Sequence, residues 1–386
     1  MRAFFLRLSK LYVAYMMERI ENILIFISMF SKMNSSSDAA ALMGGICMAE
    51  ATKVALDAMG GDNAPGEVVK GAVEAVLKEE KVYVYLVGQE DLIRTELAKY
   101  EYDTARIEVV NATEVIGMAE SPVSAIRKKK DSSIVAGMKL VREGKADAFV
   151  SAGSTGAVLV GGQVIVGRIK GVDRAPLAPL IPTARGFSLL IDCGANVDAR
   201  ASHLVQFAKM GSIYMERIMG VKEPKVGIVN IGAEEEKGNA LVKEAFPLLK
   251  ETKEINFVGS VEARDIPKGT VDVIVCEAFA GNIILKLYEG LAGVLVMKIK
   301  QGLMASLRSK IGGLLIKPAL KETMKAFDSS EHGGAPLLGL NGLVVKTHGS
   351  SRSKEIYNTI LQCVTFKDQK IIERIRDCIQ ADVSAE

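Results

Sequence analysis

Residues Val271–Gly290 read VDVIVCEAFAGNIILKLYEG, and this stretch shows how the chain is built. It begins as a β-branched apolar run typical of a buried strand, turns through Ala280–Gly281–Asn282, and continues with the spacing of a helix. An asparagine at such a point either caps the helix or holds a ligand at the positively charged helix N-terminus. The fold depends on whether the rest of the chain repeats this strand–turn–helix unit.

From Val54 onward, short apolar runs alternate with segments of helical spacing. The predicted strands are Val54–Ala58, Val82–Val87, Ile107–Val110, Ala148–Val150, Leu189–Ile191, Val226–Ile231 and Val271–Val275. The predicted helices are Glu67–Leu77, Leu92–Tyr100, Ile134–Val141, Leu204–Met219 and Ala240–Leu249. This alternation predicts an α/β fold, a mostly parallel sheet with helices on both faces, in which ligands bind beyond the carboxyl ends of the strands.

The composition excludes several classes of protein. The chain has 386 residues, and its 49 basic and 46 acidic side chains give a formal net charge of +3, too balanced for a dedicated nucleic-acid-binding protein. Its 5 cysteines are widely spaced without a C-x-x-C motif, so neither a disulfide framework nor a zinc site is indicated, and a reducing cytosol fits. We interpret Cys193 and Cys276, which follow predicted strands, as small buried hydrophobic residues rather than nucleophiles.

The N-terminal segment differs from the rest of the chain. Its apolar part, LYVAYMMERIENILIFISMF, is interrupted by Glu18, Arg19 and Glu21 and therefore lacks the uncharged length of a membrane-spanning helix. We interpret residues 1–52 as a leader that is disordered or derives from an upstream start site, with a membrane-surface helix as the alternative. Residues 53–386 are then expected to form a single α/β/α domain.

Several predicted strands end in loops that combine glycine with polar residues, namely DAMGGDNAPG, SAGSTGA, DCGANVD, GAEEEKGN and CEAFAGN. Glycine lets a ligand approach the backbone, and helix N-termini suit phosphate or carboxylate groups. The candidate phosphate- or substrate-binding residues in these loops are Gly60, Gly61, Gly153, Ser154, Thr155, Gly156, Asn196 and Glu234. Ser154 has a second interpretation, as the N-cap of a helix over Thr155–Val166. The sequence contains neither a P-loop nor a strand followed by G-x-G-x-x-G, so ordinary nucleotide sites are not predicted.

Seven segments together resemble the bacterial phosphate acyltransferase family, PlsX, in order from about Val54 to Lys370. They read VALDAMGGDNAPGEVVKGA, KKKDSSIVAGMKLVREGKADAFVSAGSTGA, APLAPLIPT, LLIDCGANVDARASHLVQFAKMGS, NIGAEEEKGN, AFAGNIILKLYEG and GGAPLLGLNGLVVKTHGSS. The resemblance implies a Rossmann-like, doubly wound α/β/α fold related to phosphate acetyltransferases. Two positions depart from the family: Ser154 stands where asparagine is common, and Glu277–Ala278 where Asp–Gly is usual.

The resemblance also implies an activity and partners. A fatty acyl group would pass from acyl carrier protein to orthophosphate, giving acyl phosphate and free carrier protein for phospholipid synthesis. A homodimer, loose association with the cytoplasmic face of the cell membrane and a glycerol-phosphate acyltransferase as candidate downstream partner are implied as well; a nucleic-acid partner is not expected. Two alternatives stay open: a phosphate acetyltransferase-like enzyme that uses acyl-coenzyme A, and a peripheral membrane protein that binds acyl chains or carrier protein without turnover.

The proposed chemistry needs no activated nucleophile, because a thioester is already reactive and phosphate is already anionic near neutral pH. It needs a cation that orients phosphate and donors aimed at the thioester oxyanion. We assign these roles to Lys237 and Asn282, which stand at positions that the family uses in its active site. His348 is a candidate for protonating the departing thiol, although a thiolate leaves readily without help.

Carboxylates near the predicted strand ends raise the question of a metal. Asp57, Asp62, Asp192 and Asp198, together with Glu234, have the oxygen chemistry of a metal site. They equally suit helix caps and the ordering of glycine loops, and we favour this second interpretation. We therefore expect neither a metal nor another cofactor.

Residues 298–327 read KIKQGLMASLRSKIGGLLIKPALKETMKAF and combine an apolar stripe with basic residues and a single acidic residue, Glu322. This profile is typical of an interfacial helix or a helical hairpin that turns at Gly312–Gly313 or at Pro318. A core or dimer-interface helix has the same stripe, and the family resemblance favours membrane contact. The predicted membrane-contacting residues are Leu307, Ile311, Leu314 and Leu315.

Overall fold

The computed structural model describes residues 51–326 and 329–385, and its strands divide between two sheets. The six-stranded sheet has the spatial order β10 (Ala335–Pro336), β11 (Leu343–Lys346), β4 (Ala148–Ser151), β1 (Thr52–Asp57), β2 (Val82–Gly88) and β3 (Ile107–Asn111). The five-stranded sheet has the order β5 (Leu180–Thr183), β6 (Gly186–Ile191), β9 (Val273–Val275), β7 (Lys225–Asn230) and β8 (Asn256–Glu262). Neighbouring strands are parallel except β10 against β11 and β5 against β6.

Helices connect these strands and cover the sheets. The α-helices of the described residues are α1 (Gly66–Lys78), α2 (Glu90–Leu97), α3 (Pro122–Lys128), α4 (Ser133–Arg142), α5 (Thr155–Gly161), α6 (Ala201–Arg217), α7 (Ala240–Glu251), α8 (Ala278–Met304), α9 (Leu307–Ala326), α10 (Ser353–Asp368) and α11 (Ile371–Ala385). A short π-helical stretch, Gly162–Val166, continues α5. One hydrophobic cluster includes Leu56 of β1, Leu189 of β6 and Phe207 of α6, so both sheets share a core.

The predicted α/β fold is confirmed, and every predicted strand and helix is present with shifted ends. Helices pack on both faces of such a sheet and exclude water from both sides of its strands. The strands are therefore nearly continuous apolar runs in the sequence. The sequence did not predict the division into two sheets, because strand neighbours are fixed by long-range contacts such as the pairing of β11 with β4. Other elements missed from the sequence are α3, α10, α11, β5, β8, β10 and β11.

The predicted hairpin exists, but its turn is in a different place. The arms are α8 and α9, and the chain turns at residues 305–306. Gly312, Gly313 and Pro318 lie inside α9, so the predicted turn positions are wrong. A Cβ atom on Gly313 would lie 3.4 Å from the Cβ of Leu303, an ordinary van der Waals distance, so the two arms lie against each other at this point.

Residues from Thr52 onward group into one compact unit. The interpretation of residues 1–52 as a leader concerns a segment that, apart from its last two residues, lies outside the described residues. It therefore stays a prediction.

Candidate active site

The carboxyl ends of three neighbouring strands, β1, β4 and β11, hold one another in place. The Asp57 carboxylate at the end of β1 accepts a hydrogen bond from the Ser151 hydroxyl at the end of β4, at 2.6 Å. The Asp62 backbone N–H donates to the Gly349 carbonyl in the loop after β11, at 2.8 Å. Burial raises the pKa of Asp57, and hydrogen bonds from Ser133, Ser151 and Met59 oppose that rise. Two of the predicted glycine-rich loops, after β1 and β4, thus meet the loop after β11 at one edge of the six-stranded sheet.

Glycine is needed where the loop after β1 meets the loop after β4. A Cβ atom on Gly60 would lie 2.4 Å from Asp57 Oδ2 and 2.6 Å from the backbone nitrogen of Gly153. Gly61 has a φ of +97°, in the region that favours glycine. These contacts explain Gly60 and Gly61 by packing, and their predicted role in binding substrate stays a prediction.

The helix that follows β9 begins at Ala278, ahead of the turn that was predicted at Ala280–Gly281–Asn282. Glu277 is its N-cap, and its two carboxylate oxygens accept from the backbone N–H groups of Phe279 and Ala280. A Cβ atom on Gly281 would lie 1.8 Å from the Asp192 carbonyl oxygen, so only glycine permits this approach. Asn282 lies in the second turn with an exposed side chain, and the interpretation of Asn282 as the helix cap is wrong.

The N-terminus of α8 has no free N–H groups to offer an anion. The Ala278 N–H donates to the Asn196 carbonyl at 3.2 Å, and the Gly281 N–H donates to the Glu277 carbonyl at 3.0 Å. Phe279 and Ala280 donate to the Glu277 carboxylate, so the first turn is satisfied within the protein. The backbone N–H groups of this turn are therefore already occupied, and any ligand contact here falls to the Asn282 amide, whose role in binding stays a prediction.

A cavity of about 550 Å³ separates the β1/β4/β11 loops from α8. Its lining includes Asp62, Thr155, Asn282, Lys286, Tyr288, Lys346, Thr347 and His348. Of the residues predicted from the sequence, the structure thus brings together Thr155, Asn282 and His348. Lys286 lies one helical turn after Asn282 and pairs with Glu289 at 2.6 Å. We call this space the Asn282 cavity.

The tautomer of His348 follows from its neighbours. The Ser350 backbone N–H donates to His348 Nδ1 at 3.3 Å, and the Ser350 hydroxyl lies 2.8 Å from the same nitrogen. Because Nδ1 accepts a backbone hydrogen bond, the neutral ring carries its proton on Nε2. His348 therefore has a proton that can be donated to a group in the cavity.

Two predicted ligand-binding residues have structural contacts instead. The Ser154 hydroxyl accepts from the Ala157 N–H at 3.5 Å and caps α5, as its second interpretation predicted. The buried Asn196 amide donates to the Ala175 carbonyl at 3.0 Å and to Asp192 Oδ2 at 2.8 Å. Neither residue lines the Asn282 cavity.

Asp192 and Asp57 order the glycine loops, as we favoured from the sequence. Asp192 is buried and accepts backbone hydrogen bonds from Leu177, Ala195 and Asn196, which oppose the rise in its pKa that burial causes. Within residues 51–326 and 329–385, no three His, Cys, Asp or Glu side chains form a group that could hold a metal ion. The expectation that no metal is needed stays a prediction.

Lys237 and Glu234 do not line the Asn282 cavity. Their side chains are exposed and form an ion pair at 2.9 Å, which raises the pKa of Lys237 and lowers the pKa of Glu234. A second cavity of about 580 Å³ lies beside their loop, against Phe279 and Ile283 on a different face of α8 from Asn282. Lys237 and Asn282 therefore do not line one cavity, and the role of Lys237 stays a prediction.

Lys346, the last residue of β11, was not predicted as a site residue from the sequence. Its side chain is only 7% exposed, although it carries a charge. Burial lowers its pKa to about 8, against the opposing effect of Asp57 and Asp62 and with a further lowering by Lys286. A lysine that ends an apolar strand directly before Thr347 and His348 is the signal that could have identified it.

Cys193 and Cys276 are buried, as interpreted from the sequence. Burial raises the pKa of both thiols, so neither is a ready thiolate nucleophile.

The hairpin of α8 and α9 exposes much apolar surface. The predicted membrane-contacting residues are all exposed, with Leu307 at 79% and Leu315 at 76%. On α8, Phe279, Leu287 and Leu291 are exposed as well. Among the described helices, α8 is the one that is long and apolar enough to cross a membrane, by length and composition only.

Solved structures of phosphotransacetylases share this fold. The EutD phosphotransacetylase from Staphylococcus aureus has a TM-score of 0.55 and 19% identity to this chain, with 87% of this chain and 100% of that one covered. A phosphotransacetylase from Streptococcus pyogenes has a TM-score of 0.57 and 19% identity, with the same 87% and 100% covered. At such low identity these structures define the class of fold alone, which is a Rossmann-like α/β fold.

The sequence comparisons define the family. The family model described as "Fatty acid synthesis protein" matches residues 52–374. A phosphate acyltransferase from Clostridium botulinum (strain Loch Maree / Type A3) is 52% identical over 324 residues, which are 84% of this chain and 96% of the relative. One from Alkaliphilus oremlandii (strain OhILAs) is 51% identical over 329 residues, 85% of this chain and 98% of the relative. The chain belongs to the phosphate acyltransferase (PlsX) family, a family of enzymes, and the resemblance found in the sequence is confirmed.

Proposed function

We propose that this chain transfers a fatty acyl group from acyl carrier protein to orthophosphate and releases acyl phosphate and free carrier protein. Membership of the phosphate acyltransferase family supports the transfer of an acyl group to phosphate. The observation that carries the proposal is the Asn282 cavity, where an exposed amide, a histidine with a donatable proton and a buried lysine face one space. These are the donors and the cation that attack by phosphate on a thioester needs.

The reaction can be followed atom by atom. A phosphate oxygen attacks the thioester carbonyl carbon, and the carbonyl oxygen becomes a negatively charged oxyanion. The carbon–sulfur bond then breaks, the acyl carbon keeps its new bond to the phosphate oxygen, and the carrier's phosphopantetheine arm leaves as a thiolate. The Asn282 amide donates to the oxyanion, and His348 Nε2–H delivers a proton to the sulfur. Positioning of the phosphate beside the thioester supplies the rest of the rate enhancement.

One assay with two substrates tests this proposal. With acyl carrier protein as acyl donor, the release of free thiol should require phosphate and should saturate as phosphate is increased. An acyl-coenzyme A donor should react more slowly at equal concentration, whereas the acetyltransferase-like alternative predicts the reverse order. Binding of acyl carrier protein without any phosphate-dependent thiol release would instead support the non-catalytic alternative.

We also propose that the chain works at the cytoplasmic face of the cell membrane as a homodimer. The exposed apolar residues of α8 and α9 support an interfacial contact, and Arg308, Lys310 and Lys317 on α9 suit an anionic leaflet. The first turn of α8 packs inside the folded domain, against the Asp192 carbonyl, which supports surface contact rather than a full span. Acyl phosphate released there would be accessible to a glycerol-phosphate acyltransferase.

A further inference from the structure

Two of the residues that line the Asn282 cavity have a buried hydroxyl without a hydrogen-bond partner among the described residues, and a third lining residue has a buried ammonium without an ion pair there. Among the buried side-chain nitrogen and oxygen atoms of the described residues, those with no hydrogen-bond partner are Thr347 Oγ1 and Tyr288 OH. Both residues line this cavity, on opposite sides of it in the fold: Thr347 follows β11, and Tyr288 is on α8. The third group is the ammonium of Lys346, which forms no ion pair in the part of the chain that the structure describes and donates only to the Thr347 carbonyl oxygen.

Such groups are unfavourable in a protein without a ligand. A buried hydroxyl with no partner keeps the full desolvation penalty, and a buried cation without a counterion keeps a larger one. Other lysines of the chain avoid this desolvation penalty. Lys268 and Lys250, for example, are exposed, and each pairs with a carboxylate, at 2.6 and 2.8 Å respectively. A cation and a hydroxyl that are adjacent in sequence, buried, and carried by residues that line one cavity are complementary to an anion with several acceptor oxygens.

We propose that Lys346 and Thr347 bind the orthophosphate, with the Lys346 ammonium and the Thr347 hydroxyl donating to phosphate oxygens. The identity of the anion rests on the proposed function, in which orthophosphate is the anionic substrate. Asp57 and the Ser151 hydroxyl fix the neighbouring strand ends, so the seat is held by the sheet and not by a mobile loop. Lys286 lies in the cavity lining with Asn282 on α8 and is paired with Glu289, so the Lys346 ammonium is the cation assigned to the anion.

The assignment places phosphate beside the acyl donor. Asn282 and Tyr288 are on α8, whereas Lys346 and Thr347 are at the sheet edge on the other side of the cavity. Phosphate bound at the sheet edge therefore leaves the α8 side of the cavity for the thioester. Because these donors are arranged before the substrate arrives, little reorganisation is needed during the reaction. Lys237 lies outside this seat, and its contribution can be separated from that of Lys346 by experiment.

Thermal unfolding with phosphate as the only added ligand tests the seat without any acyl substrate. The melting temperature of the wild-type protein should rise with phosphate concentration, since a ligand that binds only the native state stabilises it. Lys346→Met should weaken this response about tenfold or more, because a charge-assisted hydrogen bond is lost. Without phosphate, its melting temperature should be unchanged or higher, because an unpaired buried charge is removed. Lys268→Met, which removes an exposed lysine outside the cavity, should leave the response as in wild type.

Thr347→Val provides a second test that keeps the shape of the side chain. If the hydroxyl has no partner in the free protein, valine should leave the melting temperature unchanged or raise it, while the phosphate response weakens several-fold. If Lys346→Met does not fold, the phosphate response of Thr347→Val tests the proposed phosphate seat by itself. A wild-type phosphate response in a folded Lys346→Met or Thr347→Val protein would overturn the proposed seat. Failure of acyl transfer in the wild type, with the phosphate response intact, would instead overturn the proposed function and leave an anion site.

Discussion

Glu277, and not Asn282, caps α8: the Glu277 carboxylate accepts two N–H groups of the first turn, and Asn282 projects into the cavity from the second. The capping role needs a carboxylate at the position where the family usually has aspartate, and glutamate supplies it. Among the described residues, no hydrogen bond joins the Asn282 side chain to the rest of the protein, so no structural role of that kind is seen for it.

Asn282→Asp should abolish most of the turnover. The change preserves size but replaces a donor with a negative charge beside the phosphate and the developing oxyanion. Loss of one oxyanion donor alone lowers the rate about 100-fold or more. The measurement is the rate of thiol release with saturating phosphate, with the exposed Asn256→Asp as the control that has the same change in charge. Near-normal turnover in a folded Asn282→Asp protein would remove Asn282 from the mechanism.

Glu277 allows a prediction about stability. Glu277→Ala removes the N-cap of α8 and should lower the free energy of unfolding by about 1 kcal/mol. It should also slow turnover, because α8 carries Asn282. Glu277→Asp should retain most of both, since a shorter carboxylate can still cap. Denaturant unfolding and thiol release measure the two effects, and an equal loss in both variants would contradict the capping account.

Lys237 is the residue whose role the structure supports least, and its substitution tests the sequence-based assignment. If Lys237 leaves Glu234 to contact phosphate, Lys237→Ala should lower the rate and raise the phosphate concentration needed for half-maximal rate. The melting temperature should hardly change, because an exposed ion pair contributes little to stability. Lys250→Ala removes a lysine from a similar exposed pair and is the matched control. An unaltered phosphate dependence would leave Lys346 as the sole lysine proposed for phosphate binding.

The phosphate dependence should change with pH near the pKa of Lys346, which burial lowers to about 8. Below that pH the lysine is charged and binds phosphate; above it the charge is lost, so the phosphate KM should rise about tenfold per pH unit. Asp57 and Asp62 favour the charged form of Lys346 and Lys286 disfavours it, and His348 lies in the same cavity. Lys346→Arg should remove this rise, since arginine stays charged.

The lowered pKa of Lys346 also makes the stability of the phosphate-free protein depend on pH. Because the pKa of Lys346 is lower in the folded protein than its ordinary value of 10.5, the unfolded chain binds more protons between the two values. The contribution of Lys346 to the free energy of unfolding should therefore rise as the pH increases through about 8 toward 10.5. Subtraction of the Lys346→Met profile from that of the wild type isolates this contribution.

The exposed leucines of α9 test the membrane proposal. Leu307→Glu with Leu315→Glu removes apolar burial and adds charge of the wrong sign for an anionic leaflet, at about 1.5 kcal/mol or more for each side chain. Sedimentation with anionic vesicles should decrease, while turnover in solution and the dimer mass persist. The control is Leu77→Glu, at an exposed leucine of α1 outside the hairpin. Retained vesicle binding with loss of the dimer would assign the stripe to a subunit interface.

The sequence predicted most of the strands and helices and the edge of the sheet where the candidate site lies, because these depend on local apolar periodicity and on glycine at strand ends. It also predicted that Asp192 orders a loop. The contact between Gly281 and the Asp192 carbonyl joins segments that are distant in the chain, so it could not be predicted from the sequence. For the same reason, the start of the helix after Glu277 was not predicted.

Lys346 shows the same limit at the candidate site. Its charge is visible in the sequence, but its burial and its place in the same cavity lining as Asn282 depend on the pairing of β11 with β4, a strand far away in the chain. Lys237, by contrast, stands in a conspicuous loop, and its ion pair with Glu234 appears only in three dimensions.

The central claim, transfer of an acyl group from carrier protein to phosphate in the Asn282 cavity, is tested most directly with labelled orthophosphate. We predict that the wild-type protein incorporates one labelled phosphate into an acyl product for each carrier thiol released, and that Asn282→Asp and Lys346→Met lose both signals together. Thiol release without incorporation of label would show hydrolysis of the thioester by water, and would contradict the account.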